Sequence, residues 1–139
     1  MTAIDYIESL DKEDFRIERC RLKIERLETL AENRTSKAYD NDRVQTSGGK
    51  DRIGDLAVKI LEEKKRLNRL IDEKEERIEY IEDQLEKIDK TEYAKIIFYR
   101  YVEKREYSEI AEMFEKSVQT IQNWHSKALK EFARVFIVP

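Results

Sequence analysis

Residues 107–129, YSEIAEMFEKSVQTIQNWHSKAL, bury their apolar side chains together only as two short helices joined at a tight turn. Ser108 is placed to cap the first helix, and Ile110, Ala111 and Phe114 fall at i, i+1 and i+4 on one of its faces. The small Ala111 lets a second helix approach closely. Ser117 is placed to cap that second helix, with its hydroxyl accepting the backbone N–H of Gln119 or Thr120. Ile121, Trp124 and Ala128 then recur at helical spacing and face inward. Val118, Gln119, Gln122, Asn123, Ser126 and Lys127 are left facing out. Uncharged amides and hydroxyls with a few cations are the groups that read base edges in a major groove. The spacing therefore predicts a helix-turn-helix that contacts double-stranded DNA. The competing interpretation is a plain helical hairpin whose apolar residues are only core.

A chain of 139 residues makes one domain, or one small domain with an extension. Charged residues make up 42% and hydrophobic ones 40%, with one Pro and three Gly, which favours long amphipathic helices and an all-α fold. The charges alternate in sign along the chain, as on solvated helix faces. The net charge of −3 excludes a histone-like basic binder, so any DNA affinity must come from a local patch. Such a patch exists. Lys116, Lys127, Lys130 and Arg134 stand against Glu131 alone within 116–136, whereas five Glu face Lys104 and Arg105 within 103–115. Lys127 and Lys130 are expected to contact phosphates, with His125 and Lys116 as further candidates. So few cations imply weak binding by a monomer, and hence a homo-oligomer on repeated half-sites.

Several classes are excluded. No N-terminal apolar run is present, so no signal peptide or membrane span is expected, and the expected location is cytoplasmic. Cys20 is the single cysteine, which rules out a disulfide or a cysteine zinc site within the chain; it reads as a small apolar residue on a helix. His125 is the single histidine, and no carboxylate pair lies near it at ligand spacing, so no metal or other cofactor is expected; it reads as a phosphate contact or as partly buried beside Trp124. The acidic residues occupy solvated helical positions, and no nucleophile, base and oxyanion donor can be assembled, so no enzyme is expected. The run Ser47-Gly48-Gly49-Lys50 lacks the first Gly, the following Ser or Thr and the preceding strand of a nucleotide-binding loop. The tyrosines of 93–107 read as core.

Taken in order, Thr2 and Asp5 fit a capping box ahead of Ile4, Ile7 and Leu10. Residues 11–14 either break this helix or continue it. From Phe15 to about Asn33, Ile17, Cys20, Ile24, Leu27 and Ala31 recur at 3 and 4, with Phe15, Leu22 and Leu30 widening the stripe. Residues 34–52 break the period and read as a long polar loop, flexible at Gly48-Gly49: a disordered connector first, with a phosphate-contacting arm built on its cations as the alternative. A helix capped by Asp51 follows to about Ile88, roughly 55 Å long at ~1.5 Å per residue. A heptad starting at Ala57 places Ala57, Lys64, Ile71, Ile78 and Leu85 at a, and Ile60, Leu67, Lys74, Ile81 and Ile88 at d. This helix is expected to pack antiparallel on residues 15–33, with the uncovered remainder free for self-association. Thr91 is placed to cap the next helix, whose Tyr93, Ile96, Ile97, Tyr99, Tyr101 and Val102 would pack across Ile110, Phe114, Ile121 and Trp124.

The Ile-Ala…Phe…Ser…Thr-Ile…Ala-Leu spacing of 110–129 resembles the helix-turn-helix of sigma factor region 4. Glu115 stands where many such motifs have Gly, which leads to the expectation of a wider turn. Nearly the full chain is also similar to small phage- and prophage-encoded proteins of Gram-positive bacteria akin to the RinA and ArpU type late-gene regulators. The match is carried by LETLAENRTSKA (27–38), VQTSGGKDRIGDLAVKI (44–60), and Tyr99-Arg100-Tyr101 ahead of SEIAEMFEKSVQTIQNWHSKAL. The resemblance implies a role in phage gene expression and no catalysis. It implies DNA-facing positions at Ser117, Val118, Gln119, Gln122, Asn123 and Ser126.

The expected organisation is a helical hairpin or coiled coil for oligomerisation over 1–90, and a helix-turn-helix DNA-binding domain over 91–139. The expected function is sequence-specific transcriptional regulation, with RNA polymerase as a further partner. The rivals are a small terminase-like packaging subunit and a coiled-coil adaptor that docks a protein.

Overall fold

The structure, a computed structural model, describes residues 1–40 and 47–139, with side chains over 1–34 and 52–139. It is all-α, as expected: α1 (Ala3–Asp40), α2 (Ser47–Leu85), α3 (Thr91–Ile97), a π-helical turn (Phe98–Val102), α4 (Tyr107–Phe114) and α5 (Val118–Val135), with no strand among the described residues.

The capping box forms at the start of α1. The Thr2 N–H donates to Asp5 Oδ2 at 3.0 Å and the Asp5 N–H to Thr2 Oγ1 at 3.1 Å. These bonds from Thr2 hold the Asp5 carboxyl below its ordinary pKa. Residues 11–14 do not break the helix. The expected loop at 34–52 is shorter than the sequence suggested, because α1 extends to Asp40 and α2 begins at Ser47, ahead of Asp51. The physical reason is propagation: once a long helix exists, each further residue adds a hydrogen bond at little cost, and no proline stands in the way. Gly48 and Gly49 lie within α2. The remaining loop residues, 41–46, and the phosphate-arm side chains of Lys37, Arg43 and Lys50 lie outside the described residues. α2 ends at Leu85, a little before the expected Ile88.

One compact unit comprises Asp14–Glu73, an antiparallel hairpin of α1 and α2. Its seam buries Ile17, Cys20 and Ile24 against Leu70, with Leu67 and Ile71 beside them. Lys23 pairs with Glu63 at 3.0 Å and Lys64 with Glu28 at 3.2 Å. Cys20 is a buried free thiol, its sulfur 3.3 Å from the Glu63 carbonyl oxygen, and burial raises its pKa. Two details depart from expectation. Leu56 is buried and Ala57 exposed, so the strict heptad drifts off the seam, as a 3.6-residue turn requires over a long straight helix. Phe15, Leu22 and Leu30 do not widen the seam; they are 57%, 48% and 44% exposed.

The other unit comprises Met1–Glu13 and Lys74–Pro139. It is larger than the 91–139 segment delimited from the sequence, because the first turns of α1 and the last turns of α2 supply part of its core. Tyr6, Ile7, Leu10, Ile81, Leu85 and Ile88 pack with Ile97, Ala128 and Phe132. The fully buried Ile, Leu and Phe side chains among these contribute about 1.5–3 kcal/mol each. Arg77 lies 5.6 Å over the Tyr6 ring, donates to the Ser9 hydroxyl at 2.6 Å, and faces the buried Glu13 at 3.8 Å. A second cluster buries Ile96, Ile110, Ala111 and Ile121, with Tyr99, Tyr107, Phe114 and Trp124 around it, as the spacing predicted. The wider π turn sends Phe98, Tyr101 and Val102 to the first cluster and Tyr99 to the second. Ile137 is fixed by its backbone: its N–H donates to Gln84 Oε1 at 3.1 Å and its carbonyl accepts from the Tyr80 hydroxyl.

Candidate nucleic-acid interface

The connection between α4 and α5 is a tight turn, not the wider one that Glu115 suggested. The Glu115 N–H donates to the Glu112 carbonyl at 3.2 Å, and the Lys116 N–H donates to the Ala111 carbonyl at 2.9 Å. This is a Schellman ending, which needs one left-handed residue. Glu115 supplies it, at φ 55° and ψ 43°. Two residues later Ser117, extended at φ −74° and ψ 156°, starts α5. Its hydroxyl oxygen accepts the Thr120 N–H at 3.1 Å, one of the two partners expected. The caps expected at Ser108 and Thr91 are not made. Glu106 precedes α4 and Lys90 precedes α3, neither with a side-chain cap bond, and Ser108 and Thr91 lie inside the first turns. Both helices begin a residue or two before the expected positions.

Two helices cross closely here because the contact residues are small or flat. Ala111 lies against Ile121, and the Phe114 and Trp124 rings meet edge to face at 6.4 Å. Ile121, Ala128 and Phe132 are fully buried and fix the inner face of α5. The outer face then follows from helical geometry. Ser117, Val118, Gln119, Gln122, Asn123, Ser126, Lys127 and Lys130 are all exposed. The Ser126 hydroxyl donates to the Gln122 carbonyl at 3.3 Å, which leaves its oxygen outward as an acceptor. Lys116, Lys127 and Lys130 keep the face cationic. Arg134 is committed to Glu131 at 2.9 and 3.2 Å. Along α4 and its turn, Glu106, Glu109, Glu112 and Glu115 are exposed, Glu109 being paired with Arg105 at 3.3 Å.

His125 is placed differently from the lysines. It is half-buried, its Nε2 2.9 Å from the Tyr101 hydroxyl and its Nδ1 3.2 Å from the Tyr107 hydroxyl. In a neutral ring, one nitrogen donates to one tyrosine oxygen and the other accepts from the second tyrosine. Burial, then the nearby Arg100, lower its pKa. Arg100 sits 4.3 Å over the Tyr107 ring and donates to the Arg105 carbonyl at 3.0 Å. Burial first, then Tyr107, pushes the Tyr101 hydroxyl up to about 12. His125 therefore joins α5 to the π turn and to α4, and is not an outward phosphate ligand. The sequence held a signal for this: His125 stands four residues after the inward-facing Ile121, on the flank of α5 that meets the tyrosines.

A short α4, a Schellman turn and a capped, amphipathic α5 packed on α3 define a helix-turn-helix. Residues 79–132 match the family model described as Sigma-70, region 4. The match begins within the last turns of α2, so the region 4-like domain draws on that helix as well as on α3, α4 and α5. It supports a DNA-binding module. No curated protein and no solved structure matches the chain. Among the described residues, no helix is long and apolar enough to cross a membrane.

Proposed function

We propose that the protein is a sequence-specific double-stranded DNA-binding protein, a transcriptional regulator of the phage type, that reads bases with α5. One observation carries this reading. Gln119, Gln122, Asn123 and Ser126 form one exposed row of uncharged polar side chains on a helix whose opposite face is locked into the core. Gln and Asn reach adenine edges in pairs of hydrogen bonds, and the Val118 methyls suit a thymine methyl. Ser117 and Val118 stand at the N-terminus of α5, the end that a recognition helix points at the bases. Lys127 and Lys130 take phosphates and make the affinity salt-dependent. The phage assignment rests on the resemblance carried by 27–38, 44–60 and 99–129. So few cations per domain call for a homo-oligomer, and RNA polymerase is the protein partner of such a regulator. No catalysis and no cofactor belong to this reading.

Selection from random duplexes at two salt concentrations tests it. The expected result is an enriched motif repeated at about one helical turn. Binding without enrichment that falls steeply with salt would favour a packaging subunit instead. The exposed glutamates of α4 favour a second reading, an adaptor that docks a basic protein. No DNA binding at either salt would select it.

A further inference from the structure

The face of α1 turned away from its hairpin seam carries a pattern the hairpin does not use. Phe15 and Leu22 lie seven residues apart and are 57% and 48% exposed. Glu18, Glu25 and Glu32 repeat at the same interval, as do Arg19 and Arg26, and all five are exposed. At about 100° per residue, Phe15 and Leu22 form a middle row with the glutamates on one flank and the arginines on the other. Ile17, Cys20 and Ile24 point the opposite way, into α2. Leu30, 44% exposed, extends the apolar row beside the arginine flank. The Arg19 guanidinium lies 5.6 Å over the Phe15 ring, so its stem already packs along that row. Rows that repeat every seven residues keep one face in register along a helix, as a contact with a second helix requires.

We propose that this face pairs in parallel with the same face of a second copy of the chain, through Phe15, Leu22 and Leu30. Charge sets both the partner and the direction. In a parallel pair, opposite flanks meet, so Glu18, Glu25 and Glu32 of one copy stand against Arg19 and Arg26 of the other. In an antiparallel pair like flanks meet, glutamate on glutamate and arginine on arginine, which repel. A two-fold axis along the helices makes the patch complementary to itself. The pairing deepens the homo-oligomer reading given above. Its test is made without DNA, so its failure is separate from failure of the DNA-binding reading.

Sedimentation of the full chain provides the test, with Leu22→Glu and Phe15→Cys as variants. The wild type is expected to be a dimer at micromolar concentration. Leu22→Glu is expected to raise the dissociation constant roughly a hundredfold, since each dimer loses two buried leucines. Its helix content should hold, because Leu22 lies outside the seam. Phe15→Cys should cross-link like to like on oxidation, which only a parallel pair allows, with the wild-type chain as the control for Cys20. A third comparison uses Glu18→Arg/Glu25→Arg and Arg19→Glu/Arg26→Glu, each expected to be monomeric alone and dimeric when mixed. A strictly monomeric wild type overturns the proposal and leaves the face to another protein's helix. A dimer that Leu22→Glu leaves intact also overturns it, as does a dimer that Phe15→Cys does not cross-link.

Discussion

The Nε2 atom of His125 lies 2.9 Å from the Tyr101 hydroxyl oxygen, and its other ring nitrogen lies 3.2 Å from that of Tyr107. Helix α5 is thus tied, at its middle, to the π turn and to α4. A protonated ring has two donors and no acceptor, so one of the two bonds must reverse, and Arg100 adds repulsion.

This arrangement makes the domain's stability depend on pH in a stated direction. The pKa of His125 is lowered on folding, so the unfolded chain binds the proton more tightly. The stabilisation is complete above about 6.5, the unfolded value, and is lost as the pH falls through the lower folded value. Trp124, the single tryptophan, lies one residue away and reports the unfolding. Denaturant midpoints followed by its fluorescence should fall as the pH drops from about 7 to about 5.5, where His125 is the one histidine and most carboxylates stay ionised. His125→Phe should flatten that slope. An equal slope in the variant would contradict the arrangement.

Glu115 holds a left-handed backbone at φ 55°, which strains any residue with a Cβ by about 1–2 kcal/mol. Glu115→Gly removes that strain and an acid at the C-terminal end of α4, while loosening the unfolded chain by roughly 0.5–1 kcal/mol. The net expectation is a gain of about 0.5–1 kcal/mol, seen as a higher melting temperature by Trp124 fluorescence. A loss would mean that the Glu115 side chain does something its backbone position does not reveal.

Ser117 caps α5 through the Thr120 N–H at 3.1 Å. Ser117→Ala should cost about 1 kcal/mol of domain stability, and Ser117→Gly a few tenths. Equal losses in the two variants would argue against the cap and for lost packing.

The region from Ile110 to Phe132 was legible in the sequence because one spacing served two ends. Ile121 and Ala128 point inward only if Gln122, Asn123 and Ser126 point outward. What was not legible came from partners distant in sequence. His125 reads as a phosphate contact or as partly buried beside Trp124, and only the fold brings Tyr101 and Tyr107 to its two nitrogens. Residues 1–13 read as the start of the hairpin, yet Tyr6, Ile7 and Leu10 pack with Phe132, more than a hundred positions away. Phe15, Leu22 and Leu30 read as seam because periodicity shows that residues share a face, not which face meets α2. The end of α1 was misplaced because the polar composition of 34–40 outweighed the absence of any helix breaker.

The most direct test of the account is the affinity of Gln122→Ala/Asn123→Ala for the selected duplex, measured beside a scrambled duplex of equal length. Both side chains are exposed, so the melt of the variant should match that of the wild type. Specific binding should weaken by ~1–3 kcal/mol per lost base contact, with affinity for the scrambled duplex unchanged. Undiminished specific binding would show that α5 does not read the bases with this face.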